Sequence, residues 1–180
     1  MKSHLTNLSA CLLLVCGCST ANVAQYSKNE PKLDMVDYFT GNVRGWGVVL
    51  NRSGELASRF TVDIKGTPDG KGNLVMDEDF FWSNGEKTKR IWTISRKGKH
   101  GYSGTAGDVI GKATGEAHGN VLNWTYLLAL KLEGSTWKIR FDDWMWLQPD
   151  GILLNKAEMK KFGLHVGQVI IAFQKQGDRE

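Results

Sequence analysis

Glu78, Arg90 and Asp143 are the residues of this chain whose placement calls for a chemical explanation. From Asn73 to Trp82 the sequence alternates, with Leu74, Met76, Phe80 and Trp82 on one face and Asp77, Asp79 and Phe81 on the other. Glu78 falls on the apolar face. The following Ser83-Asn84-Gly85 admits two hairpins. A two-residue Asn-Gly loop would put Trp92 and Ile94 with Asp77 and Asp79, whereas a three-residue loop with a left-handed Gly85 puts them with Leu74 and Met76. The second buries the apolar set, and it sets Glu78 across from Arg90 with both pointing inward. Further on, Leu122, Trp124, Tyr126, Leu128 and Leu130 are answered across a turn at Glu133-Gly134 by Trp137, Ile139, Phe141, Asp143 and Met145. That register places Asp143 opposite Trp124, also inside.

Inward charges survive only when paired or hydrogen-bonded. One reading makes these three a structural ion cluster beneath the tryptophans of a filled interior. The other makes them the polar anchor of an apolar calyx, since ligand pockets combine many apolar walls with a few placed polar groups. The ligand-binding set on that reading is Glu78, Arg90, Trp92, Tyr102, Trp124, Tyr126, Trp137 and Asp143. Catalysis would need a different use of the same groups: Glu78 with Asp143 as an acid and base, or His100 or His118 oriented by Asp108. The adjacent Asp142 and Asp143 cannot act as a close pair in a strand, because neighbours point to opposite faces. No histidine has metal-ligand spacing to another, and no phosphate-binding GxxxxGK[ST] pattern occurs in the glycine-rich stretch Gly101 to Gly119. Neither a metal nor a cofactor is expected, and the chain reads as a binding or interaction protein rather than an enzyme.

The elements that position these residues read as strands. With 180 residues the chain holds one domain, and 21 glycines with 3 prolines and 7 tryptophans point to many tight turns in a β-rich build. Alternation is clear at Trp46, Val48 and Leu50, at Phe60, Val62 and Ile64, and at Val169, Ile171 and Phe173. Lys97-Gly98-Lys99 reads as a three-residue loop that pairs Ile94 with Tyr102 and Arg96 with His100. Two short helices are expected. Lys32 to Thr40 places Leu33, Val36 and Phe39 at helical spacing, stops at Gly41, and covers one end of the sheet. Asn155 with Glu158 forms a capping signal, followed by Met159 and Phe162 as an apolar stripe and Gly163 as a stop. About eight to ten strands in a meander remove their edges by closing, so the expected fold is an all-β, antiparallel up-and-down barrel.

The N-terminus speaks to compartment. Lys2, the apolar run Leu8 to Cys16, and Val15-Cys16-Gly17-Cys18 form a lipoprotein signal, with Cys18 the acylated first residue of the mature chain; a plain secretory signal is the alternative. The apolar run is too short for a permanent membrane span. Ser19 after Cys18, in place of an inner-membrane aspartate, favours an outer-membrane anchor facing the periplasm. Removal of residues 1–17 takes Lys2 from the 23 basic residues and leaves 22 against 19 acidic, a net +3 too weak for nucleic-acid binding. Cys18 is then the only cysteine, so the mature domain has no disulfide and no thiolate nucleophile. The expected organisation is a signal peptide over 1–17, an acylated cysteine and flexible tether over 18–30, and the barrel over 31–180.

The ordered pattern WG (46–47), F-x-V-x-I-x-G (60–66), E-D-F (78–80), R-x-W (90–92), Y-x-G-x-A-x-D-V-x-G (102–111), W-x-Y (124–126), F-D-D-W-M-W (141–146) and N-K-A (155–157) resembles the domain of unknown function 3833 family of proteobacterial lipoproteins. The resemblance covers nearly all of the mature chain. It implies a lipocalin-like barrel and an envelope location, and it brings no catalytic residues. The lipocalin G-x-W signature itself is not reproduced, since Gly45 and Trp46 are adjacent. The function these readings support is a membrane-anchored lipoprotein that binds a small hydrophobic ligand, fatty-acid or lipid-like, in its calyx. The alternatives are, second, a filled envelope module working through a protein partner and, third, an isomerase or hydrolase acting on lipid.

Overall fold

The computed structural model describes residues 21–132 and 134–177. The expected signal peptide and Cys18 lie outside the described residues. Ten antiparallel strands follow one another in order: β1 (Gly41–Asn51), β2 (Leu56–Pro68), β3 (Asn73–Trp82), β4 (Lys87–Lys97), β5 (Gly101–Ala106), β6 (Ala113–His118), β7 (Val121–Leu132), β8 (Ser135–Leu147), β9 (Leu153–Lys161) and β10 (Leu164–Lys175). Each pairs with its neighbour in sequence, and β1 pairs with β10 from Val43 opposite Lys175 to Asn51 opposite Gly167. The barrel is closed, which leaves no free sheet edge.

Two registers follow directly from turn chemistry. Gly85 at φ +88° lets Ser83-Asn84-Gly85 act as a three-residue loop, closed by Trp82 N donating to Glu86 O at 2.9 Å. Glu78 is therefore paired with Arg90, and Met76 with Trp92. The β7–β8 hairpin pairs Trp124 with Asp143 and Tyr126 with Phe141, as the alternation requires. The β4–β5 loop differs from expectation. Its residues are Gly98, Lys99 and His100, so that Lys97 pairs with Gly101, Arg96 with Tyr102 and Ile94 with Gly104. The shift is two residues, which keeps every side chain on its expected face.

Only one of the two expected helices forms. α1 (Met35–Phe39) is shorter than expected and is capped by Asp34, whose carboxylate accepts from Asp37 N at 2.9 Å. It plugs one end of the barrel with Phe39 fully buried. A Cβ at Gly66 would lie 1.7 Å from the Phe39 carbonyl oxygen, so the backbone of β2 approaches the plug as only glycine allows. Arg96 holds the outside of the plug, donating to both carboxylate oxygens of Asp34 at 2.9 and 2.7 Å.

The expected helix at Asn155 is instead β9. Leu153, Asn155 and Ala157 are buried while Leu154 and Lys156 are not, a period of two. A nine-residue helix is marginal in isolation, whereas this segment forms ladders with both β8 and β10. The local cap signal loses to that pairing. Gly163 serves a two-residue hairpin, with Phe162 at φ +52° and Gly163 at φ +80°.

Part of the expected tether is also structured. Val23–Tyr26 forms a 3-10 turn capped by Asn22, and Gly119 approaches it so closely that a Cβ would lie 1.8 Å from Tyr26 O. Lys32 Nζ donates to Ser27 O and Asn29 O, both at 2.9 Å. Val23 and Val121 are buried there, outside the main core. With β9 a strand, no helix among the described residues covers Trp144 and Trp146, which stack on the outer wall at 6.3 Å. The outward row Trp46, Ala172, Leu154 and Trp146 runs beside them across four adjacent strands.

Candidate ligand-binding site

The interior is packed at the plugged end and hollow toward the other. Leu74, Ile94, Leu122 and Leu153 are fully buried near the plug. Above them lies a cavity of about 630 Å³ that opens between the β3–β4 and β7–β8 hairpins. That volume falls in the range of roughly 300–1,000 Å³ found for small-molecule sites.

Two aromatic clusters form its walls, one from inward positions on the adjacent strands β2 and β3, the other reaching across short β5 and β6 to join β4 with β7 and β8. On β2 and β3, Phe60 meets Trp82 at 4.9 Å between ring centroids and Phe80 stacks on Trp82 at 6.0 Å. On β4, β7 and β8, Trp92 meets Trp124 edge-on at 5.9 Å and Tyr126 at 5.4 Å, and Tyr126 stacks on Phe141 at 5.0 Å. Such offset and edge arrangements suit the ring quadrupoles.

The polar groups sit between these walls. Arg90 lies 5.7 Å from the Phe80 ring and donates from Nε and Nη2 to Asp108 Oδ2 at 3.0 and 2.8 Å. Asp108 reaches it because the β5–β6 loop is sewn to β7: Ala129 N donates to Asp108 O, and Ile110 N to Leu127 O, both at 2.8 Å. Glu78 is 7% exposed and Asp143 is 6% exposed. Burial pushes the Glu78 carboxyl up to about 7, with Arg90 drawing it back and Asp108 and Asp77 adding to the rise. Burial likewise holds Asp143 well above the usual carboxylate range, reinforced by Asp142 and Glu78 and opposed by Arg90. The Tyr126 hydroxyl is raised well above its ordinary value by burial and then by Asp143. Burial works against the charge on Arg90, yet Glu78, Tyr126 and Asp108 together keep it firmly protonated. The site thus holds one ion pair beside two buried carboxyls whose protonated forms burial favours.

Six of the eight expected residues come together around the cavity: Glu78, Arg90, Trp92, Trp124, Tyr126 and Asp143. Tyr102 does not line it. Its hydroxyl donates to Asp34 Oδ2 at 3.0 Å, which makes it part of the plug's clamp. Trp137 is likewise absent from the lining. It is 39% exposed at the open rim, with Lys161 Nζ 3.1 Å from its ring centroid. Both have the expected parity but sit at the two ends of the barrel, and alternation says nothing about height. The histidine and aspartate pairs considered for catalysis are not formed: Asp108 engages Arg90, while His100 and His118 stack on each other at 4.2 Å. Asp142 faces out and accepts from Asn123 Nδ2 at 2.8 Å, so the aspartate neighbours are split as expected. Among the described residues no cluster of three His, Cys, Asp or Glu could hold a metal ion.

Sequence reasoning gave no binding role to five contributors. Phe60, Phe80 and Trp82 carried a readable signal, sharing the inner parity with Glu78. Asn155 lines the cavity but was hidden by the helix reading. Asp108 gave no periodic signal, since it lies in the β5–β6 loop.

Fold and site together define a closed up-and-down barrel with an internal calyx. The chain belongs to the protein family of unknown function DUF3833, which its residues 12–175 match. No curated protein is similar to it. Among solved structures, a protein of unknown function from the DUF3598 family of Nostoc punctiforme is similar at 16% identity and a TM-score of 0.59, over 82% of this chain and 51% of that one. The chain thus spans about half the length of that relative. An S-type phycobiliprotein lyase from Guillardia theta is similar at 9% identity and a TM-score of 0.57, over 80% of this chain and 92% of that one. At these identities the likeness is one of fold.

Proposed function

We propose that this protein binds one small hydrophobic, lipid-like molecule in the calyx, as a carrier or chaperone rather than an enzyme. The observation that carries this reading is the cavity of about 630 Å³, walled by aromatic rings and floored by the plug. A filled structural barrel would have spent that volume on side chains, as interiors normally do. The ligand's apolar part would lie between the Phe60, Phe80, Trp82 and Trp92, Trp124, Tyr126 clusters, and its polar end would reach Glu78, Arg90 and Asp143. The likeness in fold to a phycobiliprotein lyase is consistent with this use of the barrel. Native mass spectrometry of protein purified gently from its own kind of cell, followed by solvent extraction, tests the reading. A discrete bound lipid-like mass is expected; an apo mass that stays unshifted on titration with hydrophobic ligands would overturn it.

The location proposed with this function is the bacterial envelope, anchored through an acylated Cys18 at the outer membrane and facing the periplasm. The lipobox around Cys18 supports it. So does the outer apolar row with Trp46 and Trp146, since tryptophan favours membrane interfaces. Metabolic labelling with an alkynyl fatty acid should tag the chain, and Cys18→Ala should abolish both the label and membrane association.

A further inference from the structure

We infer that the calyx selects an amphiphile with a cationic, hydrogen-donating head group of the primary-amine type, and discriminates against a fatty carboxylate. This rests on the calyx reading and adds the chemistry of the ligand's polar end.

The first reason is the balance of charged groups. Within the cavity, above the plug and below the rim, stand three acidic side chains, Glu78, Asp108 and Asp143, and one basic side chain, Arg90. The rim adds Glu86 and Lys131, while Lys89 is turned to the outside, where it bridges Asp77 and Asp79. An incoming carboxylate would need Arg90, and Arg90 already gives both Nε and Nη2 to Asp108. It would also hold the buried Glu78 and Asp143 carboxyls in their protonated forms, whereas a cation lets them ionise and pair with it.

The second reason is the inventory of unpaired atoms. Among the described residues, two buried side-chain polar atoms lack a hydrogen-bond partner: Asp143 Oδ1 and Asp108 Oδ1. Both are carboxyl oxygens and both residues line the cavity. A buried polar group left unpaired is costly, so such groups point to a missing partner. An ammonium supplies three donors and no acceptor. It fits a site with spare acceptors, and its charge would draw the Glu78 and Asp143 carboxyls back toward ionisation. A carboxylate supplies acceptors where acceptors are already in surplus.

The aromatic walls complete the match. Trp92, Trp124 and Tyr126 present rings around the same groups, and aromatic faces attract cations. Nonspecific attraction of amines to the protein surface is opposed by the chain's formal charge of +4.

The test is a titration of the full-length protein at pH 7 with tetradecylamine, tetradecanol and tetradecanoic acid, below their aggregation thresholds, read by tryptophan fluorescence and confirmed as one-to-one by native mass spectrometry. The amine should bind at least about tenfold more tightly than the acid, with the alcohol between them. Asp143→Asn and Glu78→Gln, which keep shape and polarity, should each narrow the gap between amine and acid by at least about threefold. Equal or tighter binding of the acid would overturn the head-group inference and leave the calyx reading standing. So would a gap unchanged in both variants. Binding of none of the three, with folding verified by circular dichroism, would overturn the calyx reading and this inference together.

Discussion

Glu78 and Arg90 face each other directly across the β3–β4 ladder, yet the guanidinium forms its ion pair with Asp108 from a loop on the far side of β5. Glu78 is thereby left buried, with its carboxyl raised to about 7. Stability should depend on pH accordingly. The folded state holds a proton on Glu78 that the unfolded state releases near its ordinary value of 4.5. The favourable contribution is therefore complete below about 4.5 and is lost as pH rises through about 7, and Asp143 works in the same direction. For Glu78 the loss amounts to about 3 kcal/mol. Chemical denaturation between pH 5 and 8 should show falling stability, and Glu78→Gln should flatten that slope; an unchanged slope in the variant would refute the assignment.

The plug depends on a contact between backbones. A methyl group at Gly66 would overlap the carbonyl oxygen of Phe39, which is backbone and cannot swing aside. Gly66→Ala should displace α1 and cost about 3 kcal/mol, the upper range for overpacking a core. Gly107→Ala, where nothing lies within 4 Å of the added carbon, should stay within about 0.5 kcal/mol of the parent. Thermal unfolding of the two variants, with dye binding to report an opened barrel floor, checks the contrast.

Trp124 and Trp137 carry the same inward parity and opposite expectations. Trp124 lines the cavity and contacts Trp92, whereas Trp137 stands at the rim under Lys161. Ligand-induced fluorescence change should drop markedly in Trp124→Phe and persist in Trp137→Phe. Loss of the change in the rim variant alone would move the binding site out of the calyx.

The contrast between those tryptophans marks what a sequence can reveal. Alternation and turn length are local properties, so the Glu78–Arg90 and Trp124–Asp143 pairings could be read from parity and one glycine each. Height along the barrel is set by the stagger of all ten strands, which is why Tyr102 and Trp137 could be given a face but not a depth. Asp108 is harder still. It reaches Arg90 only because short β5 and β6 leave their loop to pair with β7, and no period in Gly107 to Lys112 records that. The Asn155 segment shows a different failure, in which a sound local signal for a helix is overruled by ladder partners on both sides.

That overruling can be tested at one residue. As a helix, the segment would bury Phe162 in its apolar stripe and place Gly163 at its C-terminus. In the barrel, Phe162 is 94% exposed and holds φ +52°, the first position of a two-residue hairpin whose second is Gly163. Non-glycine residues pay for that conformation, asparagine least among them, and Asn-Gly is the favoured pair for such a turn. Phe162→Asn should therefore stabilise the protein by about 0.5–1 kcal/mol, raising Tm by roughly 2 °C for a chain of this size. A helical segment would respond in the opposite sense, losing about 3 kcal/mol with the buried ring.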